Sequence, residues 1–189
     1  SLAGGIRAAA QRNPDKIVYK CGESLRTYRA FVDRMDRITS GLASGLELKP
    51  GEHGAIISQN CIEFMEILVG ASQAGVALAT VNPRLTAKEI VAICDDANAR
   101  VVFVDPENAE LLKDSQFATV DTIIVIGDEL NLWMQQASPL IQLPAINEWD
   151  TLVIPYTSGT TGKPKGVLVP HRSRVITLFS CAVEYGCYS

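Results

Sequence analysis

Residues 156–167 read Tyr-Thr-Ser-Gly-Thr-Thr-Gly-Lys-Pro-Lys-Gly-Val, a block of hydroxyls, glycines and two lysines set between β-branched, apolar stretches. That composition suits phosphate. Gly159, Gly162 and Gly166 permit positive φ, which lets successive N–H groups converge on one point. Ser158, Thr160 and Thr161 add hydroxyl donors, and Lys163 and Lys165 add positive charge. An anion fits such a cradle and an apolar ligand does not. The competing reading of the same residues is a flexible surface loop rich in glycine and threonine.

Spacing excludes three other chemistries. A Walker A loop needs two glycines five apart followed by Lys and Ser or Thr, but the fifth residue after Gly159 is Pro164, and Lys163 precedes that proline. No Gly-x-Gly-x-x-Gly dinucleotide fingerprint occurs anywhere in the chain. A nucleophile elbow at Ser158 fails as well, because Tyr156 and Thr160 stand where its glycines belong.

The block, followed by Val169-Pro170-His171-Arg172, resembles the signature loop of the adenylate-forming (AMP-binding) superfamily, which includes acyl-CoA synthetases, luciferases and peptide-synthetase adenylation domains. Weaker likenesses run upstream in the same order: Asn13-Pro14-Asp15-Lys16-Ile17, Leu25-Arg26-Thr27-Tyr28, Asn60-Cys61-Ile62-Glu63-Phe64, and Gly75-Val76 through Val81-Asn82-Pro83. The pattern is most similar to fatty-acid or aryl-acid CoA ligases.

That resemblance implies two-step chemistry. A carboxylate attacks the α-phosphorus of ATP to give acyl-AMP and pyrophosphate, and a thiol, usually CoA, then takes the acyl group. It further implies that Thr157, Ser158, Gly159, Thr160, Thr161 and Gly162 hold the β- and γ-phosphates, with Lys163 also in the nucleotide-binding set. Lys165 would offset charge on the departing pyrophosphate, with Mg²⁺ sharing that load. The implied set of small molecules is ATP, Mg²⁺, CoA and a carboxylic acid, with a fatty acid foremost. The family's adenine and ribose grips, its Mg²⁺-binding glutamate and its catalytic lysine have no counterpart before Ser189. The chain is therefore expected to be an N-terminal segment of an acid–thiol ligase, with no catalytic residue of its own, no metal site and no activity alone. The acyl pocket in that family lies largely in later segments, so chain length cannot be read here.

Composition fits a compact α/β unit. The chain has 189 residues, 47% apolar and 20% charged, with a net charge of −4 and dispersed basic residues, which speaks against nucleic-acid binding. Five cysteines without a Cys-x-x-Cys pair read as reduced thiols, and two histidines remote from them offer no metal site. No membrane span or signal peptide is evident: the apolar run 67–83 is interrupted by Gln73, Gly75, Asn82 and Pro83. Cytoplasm is the default compartment.

Several elements must position the block. The pattern predicts an opening helix over 2–12 and a hairpin of 17–20 with 24–27. A helix follows in which Tyr28, Phe31, Met35, Ile38, Leu42 and Leu46 form one stripe, with Thr27 as N-cap. A strand over 54–58 leads to a helix capped by Asn60 with Glu63, and a strand over 76–81 leads to a second capping box, Thr86 with Glu89. Strand 101–104, helix 107–116 and strand 122–126 follow. Apolar strands alternating with helices predict a mostly parallel sheet covered on both faces, the N-terminal part of an acyl-CoA synthetase-like large domain.

The expected organisation is an α/β subdomain over 1–127, a connection without clean periodicity over 128–150, and the start of a second sub-sheet over 151–189. Strand 152–156 would deliver the block, 167–170 would return, and a helix would begin at Ser173. Trp133 and Trp149 are expected to anchor packing, and His171 either to approach substrate or to end the return strand. Apolar surface bared by a missing continuation would favour self-association. Two other functions stay open, a nucleotide-binding module without chemistry and a flavodoxin-like interaction domain.

Overall fold

The computed structural model describes residues 2–137, 142–157 and 164–186. Its centre is one sheet. Five parallel strands run in the order β6 (Thr122–Val125), β5 (Ala99–Val104), β3 (His53–Ile57), β4 (Ala77–Val81) and β7 (Thr151–Thr157). Short antiparallel strands β8 (Lys165–Gly166) and β9 (Val169–Pro170) cover the outer edge of β7. A separate hairpin joins β1 (Ile17–Cys21) to β2 (Ser24–Thr27).

The inner strands β3, β4 and β5 are nearly continuous in apolar residues because both faces are buried. On one face Ile56, Leu78, Val101 and Phe103 pack against Ile38 and Leu42 of the α2 segment, Ile67 and Ala71 of α3 (Ile62–Ala74), and Leu130 and Met134 of α6 (Asp128–Gln136). Helix α2 spans Tyr28–Ser40 and runs on into a π-helical turn, Gly41–Gly45. On the other face Ala55, Ile57, Val102, Val104 and Ile154 meet Ile90, Ile93 and Cys94 of α4 (Ala87–Asp96) and Leu112 of α5 (Pro106–Leu112). Each Val, Leu, Ile, Phe or Met among them contributes about 1.5–3 kcal/mol on burial. A third layer, α1 (Leu2–Arg12) with the β1–β2 hairpin, lies over α2 and α3 around Phe31, Met35 and Val69.

Helices α2 and α3 cross closely at Gly70, where a Cβ would stand 2.8 Å from the Ile38 side chain and 2.9 Å from the Met35 carbonyl oxygen. Polar groups lock the same layer. Glu66, fully buried, accepts from Arg26 Nε and Arg34 Nε at 2.5 Å each, and Arg34 also donates to Asn131 of α6 at 2.9 Å. Arg7 of α1 pairs with Asp36, to which Gln73 Nε2 also donates at 3.0 Å.

The mostly parallel, doubly covered sheet expected from the sequence is present, and the Thr86–Glu89 capping box forms. Thr27 caps α2 through Ala30 N. Three local expectations are corrected. The N-cap of α3 is Cys61 rather than Asn60, because the chain is still extended at Cys61 (φ −144°, ψ 171°); Cys61 makes no side-chain cap, and Glu63 lies 3.5 Å from Arg26. Helix α5 starts at Pro106 because the Asp105 carboxylate accepts from Asn108 N at 2.9 Å. Residues 128–136 form α6 where no periodic element was expected, and Trp133 from it meets Phe103 edge-on at 5.9 Å, an anchor as predicted.

Replacing Glu66 by Ala leaves two guanidinium groups facing a void, so the expected loss is about 3–5 kcal/mol. A urea-unfolding midpoint that moves by less than about 1 kcal/mol equivalent would contradict this account of the layer.

Candidate functional site

Strand β7 ends at Thr157, and the chain returns as β8, pairing Tyr156 with Gly166 and Thr157 with Lys165. The residues between them, including the predicted phosphate ligands Ser158, Gly159, Thr160, Thr161, Gly162 and Lys163, lie outside the described residues. The structure brings together the two ends of the block. Thr157 and Lys165 are directly opposite across an antiparallel pair, so their side chains share one face, and both are exposed. A hydroxyl and an ammonium group side by side form a donor set for phosphate oxygens, and the ammonium has no lone pair to offer a divalent cation.

The hairpin opens at the carboxyl end of β7, on the same side of the sheet as the turns that follow β3, β4 and β5. Open parallel sheets place ligands at that edge. The return begins earlier than predicted, at Lys165, because Val167 N donates to the Pro155 carbonyl at 3.0 Å and draws the chain back along β7.

Tyr156 and Gly166 are fitted to one another. A Cβ at Gly166 would stand 2.9 Å from Tyr156 Cζ and 2.9 Å from Ile154 Cγ2, so only glycine allows the return strand to lie this close. The Tyr156 hydroxyl donates to Asp96 Oδ2 at 2.6 Å, and burial, reinforced by that carboxylate, pushes the phenol well above its usual range. Sequence reasoning singled out neither Asp96 nor this use of Tyr156. The partners are 60 residues apart, and nothing in their local patterns pairs them.

Cys94, under the same face, is pushed up to about 12 by burial and is an inert core thiol. Cys21, Cys61, Cys94 and Cys181 are all free. Trp149 does not anchor packing as expected: it is 66% exposed, and Arg172 lies over its ring at 5.2 Å while reaching Glu148 at 2.7 Å.

His171 ends the return strand and begins α7 (His171–Glu184), two residues before the predicted helix start. It is 3% exposed, and neither ring nitrogen has a hydrogen-bond partner among the described residues. Burial, against the opposing pull of Asp150, lowers its pKa below 6.5. Unfolded protein therefore binds the proton more readily, so stability is intact above pH 6.5 and falls as pH drops below it. His171→Gln should flatten the decline in melting temperature between about pH 7.5 and pH 5.5, and an unchanged slope would contradict the assignment.

The AMP-binding enzyme family matches residues 6–188. A fatty acid–[acyl-carrier-protein] ligase from Streptomyces coeruleorubidus is 35% identical over 168 residues, which cover 87% of this chain and 32% of that protein. A 4-coumarate–CoA ligase from Pinus taeda is 36% identical over 146 residues, covering 74% of this chain and 27% of that protein. Among solved structures, a long-chain-fatty-acid–CoA ligase from Archaeoglobus fulgidus superposes with a TM-score of 0.86 at 26% identity, over 98% of this chain and 40% of that one. The N-terminal domain of FACL13 from Mycobacterium tuberculosis gives 0.79 at 28% identity, over 90% of this chain and 44% of that one. The chain thus spans about a third of the length of these two curated relatives. The parallel sheet and these likenesses agree that the chain belongs to the AMP-binding enzyme family of adenylate-forming acid ligases.

Proposed function

We propose that this chain supplies the polyphosphate-binding hairpin of an ATP-dependent acid–thiol ligase. In the reaction a carboxylate oxygen bonds to the α-phosphorus of ATP, the bond from that phosphorus to the β-phosphate bridge breaks, and pyrophosphate leaves. The acyl group then passes to a thiol, with AMP as leaving group. The pairing of Thr157 with Lys165 at the carboxyl edge of the sheet carries this reading. Thr157, Ser158, Gly159, Thr160, Thr161, Gly162, Lys163 and Lys165 are its nucleotide-binding residues, and Mg²⁺ would arrive with the triphosphate. A lysine on a hairpin strand is well suited to neutralise charge that grows on pyrophosphate as it departs.

A fatty acid is the proposed substrate and CoA the proposed acceptor. A carrier-protein thiol is the second reading for the acceptor, favoured by the 35% identical relative named for that reaction. Free thiols at all four described cysteines support a cytoplasmic setting. Residues 1–127 are proposed as one subdomain and 128–150 as its connection to 151–189, whose β7 completes the same sheet and whose later part begins the next. We further propose that the chain alone lacks turnover and self-associates, since Ile176, Leu178, Phe179, Val183 and Tyr185 of the α7 region are exposed.

In the full-length protein Lys165→Ala should slow acid-dependent exchange between ATP and pyrophosphate on the order of tenfold to a hundredfold. An unaltered rate would remove the hairpin from the chemistry and return the chain to a nucleotide-binding or interaction module. The 189-residue chain alone should release no pyrophosphate in response to carboxylic acids, and it should exceed monomer mass in light scattering at high concentration. Acid-dependent release, or a monodisperse monomer, would contradict the respective claim.

A further inference from the structure

The hairpin is attached to the rest of the molecule by more than its strand pairing. Tyr156 immediately precedes Thr157, and its ring occupies the space a Gly166 side chain would need, so one aromatic group sets the spacing of both arms of the hairpin. Its hydroxyl leaves the hairpin altogether and donates to Asp96, the last residue of α4. That helix is a firm anchor. It is fixed at its start by the Thr86–Glu89 box and along its length by buried Ile90, Ile93 and Cys94.

The apolar face around Ile154 accounts for the Tyr156 ring but not for its hydroxyl, since phenylalanine would fill the same volume. The bond to Asp96 is also accessible to water, so burial alone does not demand it. Its other property is geometric, because it fixes the direction in which β7 ends. The neighbouring carboxylate is engaged elsewhere. Asp95 accepts from the backbone N–H groups of Ala118 and Thr119 at 2.8 and 3.2 Å, leaving Asp96 alone to face the hairpin.

Building on the phosphate-binding reading above, we propose that Asp96 and Tyr156 are positioning residues for nucleotide. The Asp96 carboxylate holds the Tyr156 hydroxyl and thereby fixes where β7 delivers Thr157, with Lys165 opposite it, to the phosphates of ATP. Neither residue touches the reacting atoms, and their effect passes through the orientation of the hairpin. It acts on the nucleotide and not on the acid or the thiol.

The test is steady-state kinetics on the full-length protein, with ATP, acid and thiol varied in turn. Tyr156→Phe removes one oxygen and should raise the KM for ATP on the order of fivefold, leaving the KM for acid and thiol unchanged. Asp96→Ala should match it. Asp96→Asn, which retains an acceptor oxygen, should recover most of the loss, and Tyr156→Phe combined with Asp96→Ala should be no worse than either single change. An unchanged KM for ATP, or losses spread equally over all three substrates in step with a lowered melting temperature, would overturn the proposal.

The unmodified protein and Lys165→Ala in the same assay separate this outcome from failure of the broader reading. An unmodified protein without exchange between ATP and pyrophosphate defeats the ligase reading itself. Amide hydrogen exchange at Lys165 and Gly166 then decides the structural claim: faster exchange in Tyr156→Phe sustains the tether, and identical exchange overturns it.

Discussion

A parallel strand covered by helices on both sides has no access to water along its length, so each of its backbone groups must be satisfied by a neighbouring strand. This is the constraint on which the molecule is built. It forces near-continuous apolar sequence on β3, β4 and β5, and it confines irregular backbone to the strand ends. Backbone N–H groups free to bind a ligand can exist only there. The block at residues 156–167 lies at such an end.

Charge in this protein is used in two distinct ways. Around Glu66 it is internal: a carboxylate removed from water is held by two arginines arriving from β2 and α2, which fastens the outer layer to α3. At the hairpin it is external, with Lys165 exposed beside Thr157. Buried pairs of the first kind are costly to break and add rigidity, whereas an exposed ammonium stays hydrated and ready for an anion. The net charge of −4 conceals this division, because the positive group at the mouth is local.

Periodicity made most of the fold legible. The stripe through Phe31, Met35, Ile38 and Leu42 is buried as its spacing required, and Thr86 with Glu89 forms the box their separation announced. The failures have physical causes. Asn60 has the residue type of a cap, but the backbone is still extended at Cys61, so the helix begins only at Ile62. Helix α6 carries a short but regular signal, since Asp128 and Glu129 follow Gly127 and Leu130, Trp133 and Met134 share one face, but the irregular residues after it obscure that pattern. For the candidate site, the strand that presents the block could be read from the sequence. The Tyr156–Asp96 bond could not, because it joins a strand to a helix 60 residues earlier in the chain.

Strand β8 is only two residues long, while the ladder between β3 and β4 joins five residue pairs. A seam so short yields at a small fraction of the free energy that global unfolding demands, and it does so while β7 keeps its register with β4. The molecule therefore has a weak fastener at its rim and strong ones at its centre. Thermal agitation will unzip the rim many times for each excursion of the sheet, and the scaffold is left undisturbed.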